Sequence, residues 1–456
     1  MLYWLLGIAI VFLIINYVIA DYDYLHPSFI FCLVFFMSTI FCIIEQERFE
    51  IVFHLQTVLV VGFAMFVFTL VSIWAKEKKK GRSFEEAGEE IKPIYIKNYI
   101  VIIFIGIQII TLLYFVKYLQ AISIAHHGQV VSLSEMISLY DTMTKFWTSY
   151  FNSLNIAVPF IYRLGNPISQ AGAYLILYIA INNYVANKKI NILHLISIGL
   201  LCVFYLLNGS RSPLLRILTM AVILFYVMKS KKNQKVKGNI KYAFVLVLLV
   251  LIAAVGFVVM LSIMGRDESM DVERYLFIYL GAPLVNLDNF LADFQGLTIE
   301  PFLGAQTFRS LYAYVGKLFN ISEFSYAGIS QFAFSNNGIE IGNVYTTFYQ
   351  FIYDFGYIGV LPLILIIAIY YVRSYVGFDN KLNKGGKMNF SLFIYSYLFN
   401  DLIMLFFSNR FYTTLMDAPF IKLFIVSWVF KSIFIENKLF LGKNRLLDLA
   451  FNKESI

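Results

Sequence analysis

The chain is short of charge. Asp, Glu, Lys and Arg make up 14% of its 456 residues, while 60% are hydrophobic. Soluble domains carry about 25% charged residues. The scarcity excludes an ordinary water-soluble domain and implies a polytopic membrane protein. Cysteine is nearly missing as well. Cys32, Cys42 and Cys202 all lie in apolar runs, with neither the number for a disulfide framework nor the spacing of metal ligands. The five histidines show no metal spacing, so no metal and no cofactor are expected. No phosphate-binding Gly-rich loop ending in Lys-Ser or Lys-Thr occurs, so ATP-driven transport is not expected. Asp354-Phe355-Gly356 stands without the loops that accompany it in kinases. The sequon at Asn208-Gly209-Ser210 is held too tightly between apolar runs to be an acceptor site.

What the chain has is hydrophobic length. A span needs about 20 mostly apolar residues. Eleven stretches qualify: 2–20, 28–44, 51–75, 99–120, 169–186, 191–207, 213–229, 241–263, 350–372, 389–407 and 416–435. The expected fold is an all-α polytopic membrane protein of about eleven transmembrane helices, ten to twelve allowing for the ends. Residues 1–456 form one integral membrane domain, with no internal repeat. The first run lacks a basic leader and a small-residue cleavage site, so it is expected to be a retained span.

Orientation follows from Lys and Arg. The segment 229–241 has six lysines and no acid. It shares one face with 75–82, 187–189, 373–388 and the tail from Lys431. That face is expected to be cytoplasmic, with 76–98 and 230–240 as its basic loops. The net charge of +8 then reflects contact with anionic lipid rather than nucleic acid. The opposite face receives two long segments, 122–168 and the large extracytoplasmic loop 264–349. Within the latter, 273–294 reads as an amphipathic or interfacial helix pair.

The two basic residue types divide by face. The cytoplasmic segments hold 24 of the 36 basic residues, 21 of them Lys and three Arg. Of the other twelve, eight are Arg: 48, 163, 211, 216, 266, 274, 309 and 410. Lysine satisfies a topology rule as well as arginine does. Only the guanidinium fork binds phosphate or carboxylate in a bidentate way and tolerates desolvation. Arginine placed against the positive-inside trend therefore suggests an anionic ligand at the membrane boundary. The competing readings are pairing with nearby acids and snorkelling to lipid phosphates.

The stretch "LLNGSRSPLLRIL" (206–218) concentrates this signal. Ser212 is expected to cap a helix that begins at Pro213. Arg211 and Arg216 beside a helix start have the wrong sign for the dipole, unless an anion sits between them. The nearest acids in sequence, Asp141 and Asp267, are far away, so a phosphate or pyrophosphate site is expected here.

With this stretch opening a mid-chain span, "GAQTF" (304–308), "NVYTTFYQFIYDFGYIGVL" (343–361) leading into a late span, and the large outer loop, the chain resembles the bacterial oligosaccharide repeat-unit polymerases of the Wzy or O-antigen polymerase type. The resemblance implies metal-independent glycosyl transfer at the outer face of the bacterial cytoplasmic membrane, in an architecture comparable to GT-C glycosyltransferases. The partners it implies are undecaprenyl-pyrophosphate-linked oligosaccharides, membrane lipids, and the chain-length regulator and flippase of the same pathway. It implies catalytic roles for Arg211, Arg266, Arg309 and Arg410. Ser210, Ser212, Arg216, Asp288, Asn343, Tyr345 and Asp354 are the expected substrate-binding residues. Asp288, Glu340, Asp354 and His127 are the candidate bases, each of which could equally be a cap or an ion-pair partner. The chain departs from the family pattern in lacking two matching copies of a spaced Arg-to-Gly motif, which leaves open which loop takes donor and which acceptor. An O-antigen ligase would share the arginines. A lipid-linked oligosaccharide flippase would instead place charge and broken helices near the midplane, in related halves.

Overall fold

The computed structural model describes residues 1–80, 91–232, 272–296, 302–324, 331–378 and 388–436. The chain is an all-α, multi-pass membrane protein. Its helices are α1 (Leu2–Ile19), α2 (Pro27–Ile44), α3 (Leu55–Lys80), α4 (Asn98–His127), α5 (Leu133–Lys145), α6 (Thr148–Ser153), α7 (Phe160–Asn187), α8 (Ile192–Leu207), α9 (Ser212–Lys232), α10 (Val272–Leu280), α11 (Ala282–Ala292), α12 (Arg309–Phe319), α13 (Thr347–Phe378), α14 (Phe390–Ile403), α15 (Arg410–Leu415) and α16 (Ala418–Phe430). A small antiparallel pair, β1 (Ala333–Phe334) and β2 (Glu340–Gly342), precedes α13.

Eight of these helices, α1, α2, α3, α4, α7, α9, α13 and α16 with its π-turn to Ile435, are long and apolar enough to cross a bilayer. Each matches an expected span. The expected spans at 191–207 and 389–407 are helices of 16 and 14 residues, shorter than a bilayer requires. The expected span 241–263 lies outside the described residues. The expected span at 169–186 starts earlier. Pro167 sits inside α7. Gly165 and Gly172 let α7 lie close to α4: a Cβ on Gly165 would meet Thr111 Oγ1 at 2.2 Å, and one on Gly172 would meet Phe104 at 2.6 Å. Small residues at such crossings are a membrane-helix habit. The outer segment expected at 122–168 therefore shrinks, with α5 and α6 inside it. α5 starts on a capping box between Ser132 and Glu135.

Hydrogen bonds separate the two ends of the bundle. Lys76 Nζ donates to Ile19 O and Asp21 Oδ1 at 2.8 and 2.6 Å. Buried Asp23 accepts from Tyr226 and Tyr375 at 2.8 and 2.9 Å, joining the α1–α2 turn to the ends of α9 and α13. Tyr178 accepts from Asn389 N at 3.2 Å. These contacts gather at one end the helix termini that lead into the lysine-rich segments. At the other end, the Asn336 and Asn337 amides donate to Glu50 O and Arg48 O, both at 2.7 Å. Of the eight arginines singled out by sequence, all but Arg266 are described, and they occupy this second end.

Residues 273–294 form the expected helix pair, packed into the bundle. α10 and α11 meet at a 54° bend, and Ala282–Asp288 are all buried. α11 packs into the bundle beside α2 and α3. Gly281 permits the bend's close fit: its carbonyl accepts from Cys42 Sγ at 3.3 Å, and a Cβ there would meet Phe277 at 2.7 Å. An amphipathic pattern marks a helix with two environments; here the second environment is protein rather than a membrane surface.

α13 is broken at Gly356, whose φ of 65° and ψ of −169° leave helical space. That region is open essentially to glycine alone, at a cost of about 1–3 kcal/mol for other residues. Gly356→Ala is therefore expected to lower the thermal midpoint of the detergent-solubilised protein. An unchanged midpoint would mean that the break straightens freely.

Candidate functional site

The turn between α8 and α9 uses Gly209 at φ 67°, and a Cβ there would approach Asp141 Cβ to 2.9 Å. The amides of Leu214 and Leu215 donate to Arg211 O, so Arg211 holds the cap position. Ser212, expected as the cap, lies within the first turn; the helix starts one residue early. Ser210 Oγ turns back to Asn208 O at 3.5 Å. Arg211 is 9% exposed. It donates to the Tyr275 hydroxyl, and its guanidinium lies 5.6 and 5.8 Å from the ring centroids of Tyr275 and Tyr279.

Arg216 has a different setting. It makes a bidentate pair with Asp401, at 2.7 Å from Nη2 and 3.1 Å from Nη1. Nη1 also donates to Tyr397 O at 3.3 Å and Nη2 to Thr414 Oγ1 at 3.4 Å. The Tyr397 ring centroid lies 4.5 Å from the guanidinium. The anion expected between Arg211 and Arg216 thus has an internal counterpart: Asp401, 185 residues away in sequence, neutralises Arg216 and welds α9 to α14. Sequence distance to Asp141 and Asp267 gave no hint of it.

A second construction brings Arg309 and Arg410 together. Asp354 accepts from Gln306 N at 3.3 Å and Thr307 N at 2.6 Å. Asn409 Nδ2 donates to Thr307 O at 3.0 Å. The "GAQTF" turn is thereby seated between α13 and the start of α15. Arg309 and Arg410 are the first residues of α12 and α15, and the turn sets these helix starts side by side. Burial lowers the Arg410 guanidinium below its ordinary value; Asp401 opposes this, and Arg216 and Arg309 reinforce it. Arg410 Nε is buried without a hydrogen-bond partner, while the residue keeps some exposure. Arg211 adjoins this region through aromatic side chains. Tyr279, beneath its guanidinium, stacks on Phe407 at 5.8 Å, two residues before Asn409. Asp401 is paired with Arg216, and Asp417 lies within electrostatic reach of Arg309; the four arginines outnumber these two acids. Such a site attracts an anion and stabilises negative charge that develops beside it.

The remaining expected residues take other places. Asp288, fully buried, accepts from His54 N at 2.9 Å, His54 Nδ1 at 2.8 Å and Thr57 Oγ1 at 2.5 Å. It caps α3 across the chain. Asp354 caps the 304–308 turn. Two of the four candidate bases are thus carboxylates already engaged by backbone donors. Glu340 is exposed on β2; its carbonyl accepts from Arg274 at 3.3 Å. His127 closes α4. Asn343 is half-buried in the segment before α13. Tyr345 stacks on Tyr349 at 4.4 Å and donates to Gln331 O at 3.3 Å. Arg266 lies outside the described residues. Sequence reading missed Asp401, Asn409 and His54. Asp401 carried one signal, an acid within an apolar helix. Among the described residues no group of three His, Cys, Asp or Glu could hold a metal ion.

No family model, curated protein or solved structure matches the chain.

Proposed function

We propose that the chain polymerises undecaprenyl-pyrophosphate-linked oligosaccharide repeat units by glycosyl transfer at its arginine-bearing end. The observation that supports this best is Arg410, a partly exposed guanidinium whose buried Nε has no hydrogen-bond partner, set beside Arg309 and Arg216. In this reaction an acceptor hydroxyl of one lipid-linked unit attacks the anomeric carbon of the donor glycan. The anomeric carbon–oxygen bond breaks, its electron pair leaves with the lipid pyrophosphate, and the hydroxyl proton passes to an oxygen of that departing pyrophosphate. Arg410, Arg309 and Arg211 would hold that leaving group and stabilise its developing charge. The arginine-bearing end then faces the periplasm or cell exterior of a bacterial cytoplasmic membrane, and the lysine-rich end faces anionic lipid inside. A ligase would use the same cluster with a different acceptor.

A second reading, a lipid-linked oligosaccharide flippase, is favoured by the bent α10–α11 pair and the break at Gly356, since transporters build sites on discontinuous helices. Deleting the gene separates the readings. A polymerase deletion leaves single-repeat glycan on a gel, whereas a flippase or ligase deletion removes surface glycan altogether. Arg211→Ala is expected to insert normally and yield single-repeat product, and Arg211→Lys to rescue poorly because it lacks the bidentate fork. Normal polymer length in the Ala variant would remove Arg211 from the mechanism.

A further inference from the structure

Next to Arg410 the interior is rich in hydrogen-bond acceptors that lack donors. Asn409 Oδ1 and Gln350 Oε1 are buried and accept from no protein group. Asn409 is 1% exposed, and its amide orientation is set by the donation of Nδ2 to Thr307 O at 3.0 Å. Gln350 shares a helix face with Asp354, one turn on, whose carboxylate accepts from the amides of Gln306 and Thr307, and its own backbone carbonyl accepts from Thr307 Oγ1 at 3.1 Å. The hydroxyls of Thr346 and Thr347, at the start of the same helix, are buried and unpartnered too. Buried polar atoms are seldom left this way, and several together call for a partner.

We infer that this patch is a saccharide subsite, in which Asn409 Oδ1 and Gln350 Oε1 accept from hydroxyls of the sugar joined to the pyrophosphate that Arg410 holds. The inference rests on the polymerase reading and deepens it. A lipid-linked saccharide has three parts. The polyprenyl chain has no donor, and an ionised pyrophosphate diester has none either. Only the sugar offers hydroxyl protons to neutral amide oxygens. The juxtaposition of orphaned acceptors with an unsatisfied guanidinium matches a sugar–phosphate junction and no other part of such a ligand.

Equilibrium binding to the full-length protein in nanodiscs tests this. The probes are undecaprenyl pyrophosphate alone and the lipid-linked saccharide that the deletion strain accumulates. The wild type is expected to prefer the saccharide-bearing lipid. Gln350→Met, of similar volume but without the acceptor, is expected to weaken that ligand about tenfold, the scale of one or two lost hydrogen bonds, and to leave the bare lipid's affinity unchanged. Gln350→Ala serves where the Met variant folds poorly, with thermal unfolding as the control. Failure of the wild type to bind either lipid overturns the polymerase reading. Equal binding of both lipids, or a preference that survives both Gln350 variants, overturns the subsite and leaves the polymerase reading standing.

Discussion

Asp401→Leu will unfold the protein more readily than the double variant Asp401→Leu with Arg216→Met. Asp401 is fully buried and holds Arg216 at 2.7 and 3.1 Å. Removing it leaves one guanidinium inside the bundle without its partner, and it takes away the negative charge that opposes the lowering of Arg410. Breaking a buried ion pair from one side costs roughly 3–5 kcal/mol, whereas replacing both partners with apolar residues of similar volume is often neutral or stabilising. The double variant should therefore recover most of the loss. Arg216→Ala alone should resemble the Asp401 single variant, since it strands the carboxylate in the same interior. Thermal unfolding in detergent and accumulation in the membrane both read the effect. Equal stability of the single and double variants would mean that the pair carries no net stabilisation, and that Arg216 is available for an external anion after all.

That pair also marks where the sequence stops being informative. Apolar length located ten of the eleven expected spans as helices, because a membrane demands backbone self-satisfaction and leaves long apolar runs few other structures. The helix ends leading into the lysine-rich segments and the seven described arginines fall at opposite ends because alternation of spans is a simple geometric rule. Tertiary pairing was not legible. Arg216 finds Asp401 only when α9 meets α14, and no local spacing announces that meeting. The same holds for Asp288, which caps α3 from 234 residues away, and for Asp354, which caps the 304–308 turn. Each was a candidate base that could equally be a cap or an ion-pair partner, and the sequence does not choose between these roles. Each proves committed to backbone donors, a demand that appears only once the chain folds back on itself. The bent α10–α11 pair was misplaced for a related reason. Hydrophobicity shows that two faces differ without saying whether the apolar one meets lipid or protein. The arginine asymmetry, by contrast, survived folding, because it depends on which end a residue occupies and not on its exact partner.

Arg410→Ala will abolish long glycan without weakening the fold, the opposite pattern to Asp401→Leu. Arg410 Nε is buried without a partner, and burial holds the guanidinium below its ordinary value. A cation in that state contributes little to stability, so its removal is expected to leave the thermal midpoint unchanged or slightly raised. If the proposed polymerase chemistry holds, its removal is expected to cost roughly 10²–10³ in rate, the usual scale for a lost electrostatic contact to a leaving group. Arg410→Lys keeps the charge but not the fork, and should recover only part of the activity. Ligand protection supplies the independent readout. Undecaprenyl pyrophosphate at 100 times its dissociation constant would stabilise the folded wild type by about 2.7 kcal/mol, and the same lipid concentration should protect Arg410→Ala far less. A variant destabilised as strongly as Asp401→Leu would make Arg410 a structural counter-ion of Asp401. A variant protected as well as the wild type would place the pyrophosphate elsewhere. Retained activity at the wild-type midpoint would end the assignment, because the unsatisfied guanidinium would then serve neither the fold nor the reaction.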